Sequence, residues 1–365
     1  MKATVYNADY LFEQDSMDFE FPVEIHVSRF HNNDRITPPS YGGDISFDNP
    51  DAYKVYINIT EPVTSGNREL IEVVIKNSKY YDLILTTDKE ILEKCENAVM
   101  LLYGSTWLNK GKIDHIDGLG EYDKSLDLLC ENKRFEISFL CSAHQKILEG
   151  YNKRKEMWSE IYNITVPTLF YSSTRYPMVT DGHDIIRRSR MNFRNEGRGN
   201  DIHFMLPEDD KKYLFNSQFH IAIESTSTIN YFSEKLIDAL ITKTVPIYWG
   251  CPNIGDFFDT RGIISINDID LNKNISETSL HNSRALARLK TPTSKLLSKK
   301  YKDALKEGAT TAMEIVELLN TITTETYEQM LPFIEENYDR AKEFARPLSD
   351  RVKETIIKEK RKVLT

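Results

Sequence analysis

Residues 213–266 read YLFNSQFHIAIESTSTINYFSEKLIDALITKTVPIYWGCPNIGDFFDTRGIISI. The apolar run at 219–223 stops at Glu224 and gives way to a short loop of Ser and Thr. A helical pattern then opens with Tyr231, Ser233, Glu234 and Lys235, and a second apolar run at 245–249 closes on Gly250. Strand, loop, helix and strand in this order have the length of one βαβ unit. The polar residues gather where such units bind ligands, outside the carboxyl ends of strands and at a helix N-terminus.

Outward from this stretch the same alternation recurs. Residues 54–60 (KVYINIT), 81–86 (YDLILT) and 98–103 (AVMLLY) read as strands. Helices are expected between them, one over 67–77 and one opened by a capping box at Thr87-x-x-Glu90. Residues 135–141 (FEISFLC) and 149–162 read as a further strand and helix. Such alternation predicts parallel sheets covered by helices on both faces. Two segments of it predict an α/β chain of two Rossmann-like domains facing across a cleft, at 1–130 and 131–325. Gly111, Gly118 and Gly120 interrupt the pattern near the boundary. Helices are predicted over 298–319 and 326–345, so that residues 326–365 form a helical C-terminal tail. Its last part, RVKETIIKEKRKVLT (351–365), is basic with interspersed apolar residues. It reads as a solvated terminal helix, or as a peripheral contact with an anionic membrane surface.

Composition narrows the setting. A chain of 365 residues is comfortable for two cores. No run of 18 apolar residues occurs, and the N-terminus lacks the basic-then-apolar layout of a secretory signal. The expected location is therefore the cytoplasm, without a transmembrane segment. A formal charge of −9 argues against nucleic acid as a partner. Cys95, Cys130, Cys141 and Cys251 lie far apart, which reads as reduced, mostly buried thiols and not as a metal site.

The opening stretch also resembles the donor-binding motif of the family 10 glycosyltransferases, the α1,3/α1,4-fucosyltransferases. Their pattern runs roughly Phe-Glu-Asn-Ser, a short loop, Tyr-(Val/Phe)-(Ser/Thr)-Glu-Lys, an apolar helix, and (Val/Ile)-Pro-(Ile/Val)-Tyr-Trp-Gly-x-Pro. Glu224, Ser225, Tyr231, Phe232, Ser233, Glu234, Lys235, Val245, Pro246, Ile247, Tyr248, Trp249, Gly250 and Pro252 stand at the matching positions. The resemblance covers about fifty residues closely and the remainder loosely. It implies the GT-B arrangement of the two domains, GDP-fucose as donor substrate, a glycan acceptor, no other cofactor and no metal. A soluble bacterial or viral member of the family is the kind it suggests.

The chemistry needs a neutralised diphosphate, a held sugar ring and a deprotonated acceptor hydroxyl. The resemblance assigns phosphate contact to Lys235 and sugar or ribose hydroxyls to Glu234, with Tyr231 lining the same pocket. Glu224 is expected either to bind the nucleotide or to fix the loop. Ser225 departs from the family's usual Asn and offers fewer hydrogen bonds, which bears on donor contacts and sugar choice. An arginine suited to diphosphate falls on Arg154, with Lys153 and Lys155 as neighbours. Glu61, just past the strand at 54–60, matches the family's base. Each of these residues also has a plain reading, as solvated helix faces or a strand-end carboxylate.

Two features stay outside the motif. Arg187, Arg188, Arg190, Arg194 and Arg198 cluster in a loop that reads as a solvated segment, or as a lid over the diphosphate. Asp268-Ile-Asp270 has the spacing of a metal-holding pair in metal-dependent donor sites. A relative using GDP-mannose, or a non-catalytic module that binds sugar nucleotides or glycans, are the competing readings.

Overall fold

The computed structural model describes residues 1–6, 17–27, 47–59, 67–108, 125–131, 133–141, 149–160, 163–172, 200–203, 206, 210–267 and 311–364. Glu61, Asp268, Asp270 and the arginine cluster at 187–198 lie outside these residues.

Two parallel sheets organise the chain. The first holds β1 (Thr4–Tyr6), β2 (Val23–Val27), β3 (Tyr53–Asn58), β4 (Leu83–Thr86) and β5 (Ala98–Met100), side by side in chain order. The second holds β6 (Arg134–Cys141), β7 (Thr168–Ser172), β8 (Asn200–His203), β9 (Ser217–Ile223), β10 (Val245–Trp249) and β11 (Ile264–Ser265). Its spatial order is β11-β10-β9-β6-β7-β8, with every pairing parallel. Helices α1 (Asn67–Asn77) and α2 (Lys89–Lys94) belong to the first sheet, α3 (Ser125–Glu131), α4 (Glu149–Ser159) and α5 (Glu234–Leu240) to the second. Three more follow: α6 (Thr311–Leu319), α7 (Thr324–Ala345) and α8 (Leu348–Leu364). The result is two Rossmann-like units with C-terminal helices.

Burial on both faces explains why β9 and β10 read as unbroken apolar runs. Phe219, Ile221 and Ile223 meet Val245, Ile247 and Trp249 on one face, while Ala222 and Tyr248 meet the helix α5 residues Leu236 and Leu240 on the other. At about 25 cal/mol per Å² of apolar surface, each such side chain contributes roughly 1.5–3 kcal/mol. In β2 the apolar pattern carries two polar residues, Glu24 and His26, both buried. They satisfy each other: His26 Nε2 lies 3.1 Å from Glu24 Oε1, and Nδ1 lies 2.9 Å from the Tyr81 hydroxyl. Glu24 also accepts from the Asp48 and Asn49 amides. This closed network hides the strand from a reading by hydropathy, and β1, β2, β7 and β8 were not expected.

One expectation is corrected locally. Helix α2 is capped by Asp88, whose carboxylate accepts from the Ile91 amide at 2.9 Å, and not by Thr87. Asp ranks above Thr as an N-cap, and the shift of one residue moves the helix start to Lys89. The predicted helix over 298–319 is described only as α6, its earlier part lying outside the described residues.

The C-terminal helices divide between the sheets. Tyr327, Ile334, Ala341 and Ala345 of α7 join the second sheet's cores. Arg346 turns extended ahead of Pro347, and α8 crosses to the first sheet, where Leu348, Val352 and Ile356 pack with Ile25, Val55 and Leu83. The apolar face of this basic helix is therefore covered by protein, and Arg361 and Lys362 stay exposed. Among the described residues no helix is long and apolar enough to cross a membrane.

Candidate functional site

Strand order reverses in the second sheet between β6 and β9. Such a switch point opens a crevice outside the carboxyl ends of the two strands, where open α/β sheets bind ligands. Glu224 and Ser225 follow β9 directly at this edge, and α4 arrives from the β6 side.

Gly150 lets the two sides meet. Its amide donates to the Ser225 carbonyl at 3.0 Å, and a Cβ there would lie 1.7 Å from the Glu224 carbonyl oxygen. Only glycine permits that approach. One turn further along α4, Arg154 is buried with Nη2 3.2 Å from Ser225 Oγ and Nε 3.3 Å from the Gly150 carbonyl. Its guanidinium lies 4.2 Å from the Tyr151 ring centroid. These two hydrogen bonds use two of five N–H groups. Lys153 is buried too, its ammonium 5.0 Å from the Trp249 ring. The structure thus places Arg154 and Lys153 together with Ser225 at the switch point. Lys155 has no described side chain.

The loop after β9 is held by one carboxylate. Glu224 is fully buried and accepts from the Ser233 amide at 2.8 Å and the Ser233 hydroxyl at 2.6 Å. Its own amide donates to the Trp249 carbonyl, joining it to β10. Gly250 leaves room for it, since a Cβ there would stand 2.5 Å from Glu224 Cγ. Ser233 is also the N-cap of α5, its hydroxyl accepting from the Lys235 amide. The Ser233 and Lys235 amides at this helix start are thus taken within the loop itself.

Glu234 and Lys235 open α5 as a buried acid beside a partly exposed base. The Lys235 ammonium is 2.9 Å from Glu234 Oε1, 3.1 Å from Ser233 Oγ and 3.8 Å from Glu224 Oε2. Burial works to raise Glu234, but Lys235 and Lys211 together outweigh it and hold the carboxyl down at about 2. Burial pushes Glu224 up, with Lys235 opposing. Glu234 is therefore held ionised, able to accept from two hydroxyls, and Lys235 keeps about a quarter of its side chain accessible (23%). Tyr231 stacks on Tyr103 at 5.9 Å, which brings the first unit to the pocket wall.

Several residues of this site escape a reading of the sequence. Asn230 adopts φ 61° and donates through Nδ2 to the Thr87 carbonyl, just past β4. Lys211 and Asp238 form a buried pair at 2.5 Å beneath Glu234. Only the Ser233 cap had a readable signal, a Ser ahead of Glu and Lys at a helix start.

Two Rossmann-like units, with buried basic residues and an ionised carboxylate at the switch point of the second, thus frame the candidate site. No protein-family model matches the chain. A 70-residue segment is 31% identical to the alpha-(1,3)-fucosyltransferase FucT of Helicobacter pylori, covering 19% of this chain and 14% of that protein. That match spans about a seventh of the curated relative's length. Among solved structures, an alpha1,3-fucosyltransferase with GDP aligns over 90% of this chain and 80% of its own, at 15% identity and TM-score 0.37. The same enzyme type with GDP-fucose aligns over 80% and 76%, at 16% identity and TM-score 0.34. TarM aligns over 93% of this chain and 54% of its own, at 11% identity and TM-score 0.43.

Proposed function

We propose that this protein is an inverting, metal-independent glycosyltransferase that moves fucose from GDP-fucose to a glycan hydroxyl. The observation that carries the reading is the convergence of Arg154, Ser225, Glu224, Glu234 and Lys235 on the switch point. In this reading Arg154 and Lys235 neutralise the leaving diphosphate, Arg154 through its remaining N–H groups. Glu234, ionised across the neutral range, accepts from donor hydroxyls. Glu224 acts through the loop it fixes. A single displacement inverts the anomeric centre, so one base suffices.

Glu61 is the base in this proposal. In sequence it comes three residues after the end of β3, whose carboxyl end belongs to that edge of the first sheet. That edge is turned toward the donor loop: Thr87, after the neighbouring β4, accepts from Asn230, and Tyr103, after β5, stacks on Tyr231. A carboxylate there is supported as the group that meets an acceptor between the units.

The test is purified protein with GDP-fucose, GDP-mannose, UDP-galactose and UDP-GlcNAc over a glycan panel, with and without EDTA. Transfer from GDP-fucose that survives EDTA and is lost in E61Q supports every part. Transfer from GDP-mannose instead would reassign the sugar, for which Ser225 is the residue to examine. EDTA-sensitive transfer would return Asp268 and Asp270 to consideration, and GDP binding without turnover would mark a binding module.

A further inference from the structure

The segment that leads out of the first sheet is gripped from both sides. Arg351 of α8 donates to three successive carbonyls, Leu102 at 2.9 Å, Tyr103 at 3.2 Å and Gly104 at 2.5 Å. From the other side, Asp238 Oδ1 accepts from the Thr106 hydroxyl at 2.7 Å and from the Trp107 amide at 2.9 Å. Gly104 allows the squeeze, since a Cβ there would lie 2.6 Å from the Phe232 ring and 2.8 Å from Phe344. Residues 102–108 are thus a strap bound to the donor unit through the middle of α5.

The same carboxylate is linked to the pocket acid through Lys211. Asp238 stands four residues after Glu234, on one face of α5. Its Oδ2 takes the Lys211 ammonium at 2.5 Å, and Lys211 also acts electrostatically on Glu234 and lies 5.0 Å from the Trp107 ring. Lys211 therefore senses both the pocket acid and the strap. Asp238 is fully buried and Lys211 nearly so. A buried pair of this kind holds one geometry tightly, because breaking it leaves a charge without a partner.

We propose that Asp238 is a positioning residue that couples occupancy of the Glu234–Lys235 pocket to the strap at 102–108, and so to the placement of the first unit over the donor. The inference rests on the nucleotide reading above. A ligand that engages Glu234 changes the field on Lys211, and Lys211 passes the change to Asp238 and Trp107.

The test uses the full chain and GDP as probe. Trp107 fluorescence, isolated as the part of the signal lost in W107F, should change on GDP addition. T106V removes the hydroxyl that donates to Asp238 and accepts from the Leu108 amide, without touching a charge; it should keep GDP affinity within threefold of the wild type, lose the Trp107 response, and lower kcat for GDP-fucose turnover at least tenfold. T106S should restore both. D238N should show the same split, and T106V serves if that variant does not fold. GDP binding with a Trp107 signal and kcat unchanged in T106V would overturn the coupling alone. A wild-type protein that binds no GDP would overturn the nucleotide reading and the coupling with it.

Discussion

The Ser233 amide and the Ser233 hydroxyl both donate to the one carboxylate of Glu224, nine positions earlier in the chain, at 2.8 and 2.6 Å. The end of β9 is thereby tied to the start of α5, with Lys235 neutralising the pair.

Removing that tie leaves the Ser233 donors and Lys235 without their acceptor in a buried place. E224A should cost about 2–4 kcal/mol of stability, and E224Q less, since an amide oxygen still accepts. Urea unfolding at neutral pH measures both. A loss below about 0.5 kcal/mol in E224A would show that the loop holds without the carboxylate.

Gly150 makes the closest approach in the crevice. In G150A the new Cβ meets a backbone oxygen at 1.7 Å, so the α4 start must shift. A destabilisation of about 1–3 kcal/mol is expected. GDP affinity should fall along with it, because Arg154 hangs on the same turn. Calorimetric titration alongside thermal melts separates the two effects.

Arg154 is the group best placed to bond a diphosphate oxygen. R154A should weaken GDP binding by about 10- to 100-fold, the equivalent of roughly 1.5–3 kcal/mol for hydrogen bonds to a charge. R154K should fall between, lacking the guanidinium fork. An unchanged dissociation constant in R154A would remove this residue from the site.

Stability should fall on mild acidification for a specific reason. His220 is buried with Nδ1 2.8 Å from the Ser138 hydroxyl, and burial, with Lys211 nearby, pushes it down to about 3. His26 is lowered by burial as well, against the pull of Glu24. A histidine with a depressed native pKa protonates first in the unfolded chain. Its contribution is thus complete above about pH 6.5 and is lost as pH falls from there. His220 alone should cost about 1.4 kcal/mol per pH unit over that descent. Urea midpoints between pH 7.5 and 5 measure the slope, and H220Q should flatten it.

Buried Arg351 gives the last prediction. R351M removes the donor of three carbonyls between α8 and the strap and should destabilise the chain by about 2–4 kcal/mol. R351K should recover part of this. Unfolding midpoints of the two variants decide the matter.

Local pattern alone determined the βαβ unit, the β3, β4, β6, β9 and β10 runs and the helix over 67–77. These rest on apolar periodicity and on breakers such as Gly250, which act within a few residues. The position of Arg154 and the motif residues was legible as well, but not their partners. Tertiary structure alone decided that Arg154 meets Ser225, that Glu224 is consumed by Ser233, and that Asp238 binds Thr106 and Trp107. It also sent α8 back to the first sheet and hid β2 behind a buried Glu24–His26 pair. Such contacts join residues brought together by strand order and helix crossing. A one-dimensional pattern encodes which face of an element is apolar, and leaves open which other element will cover it.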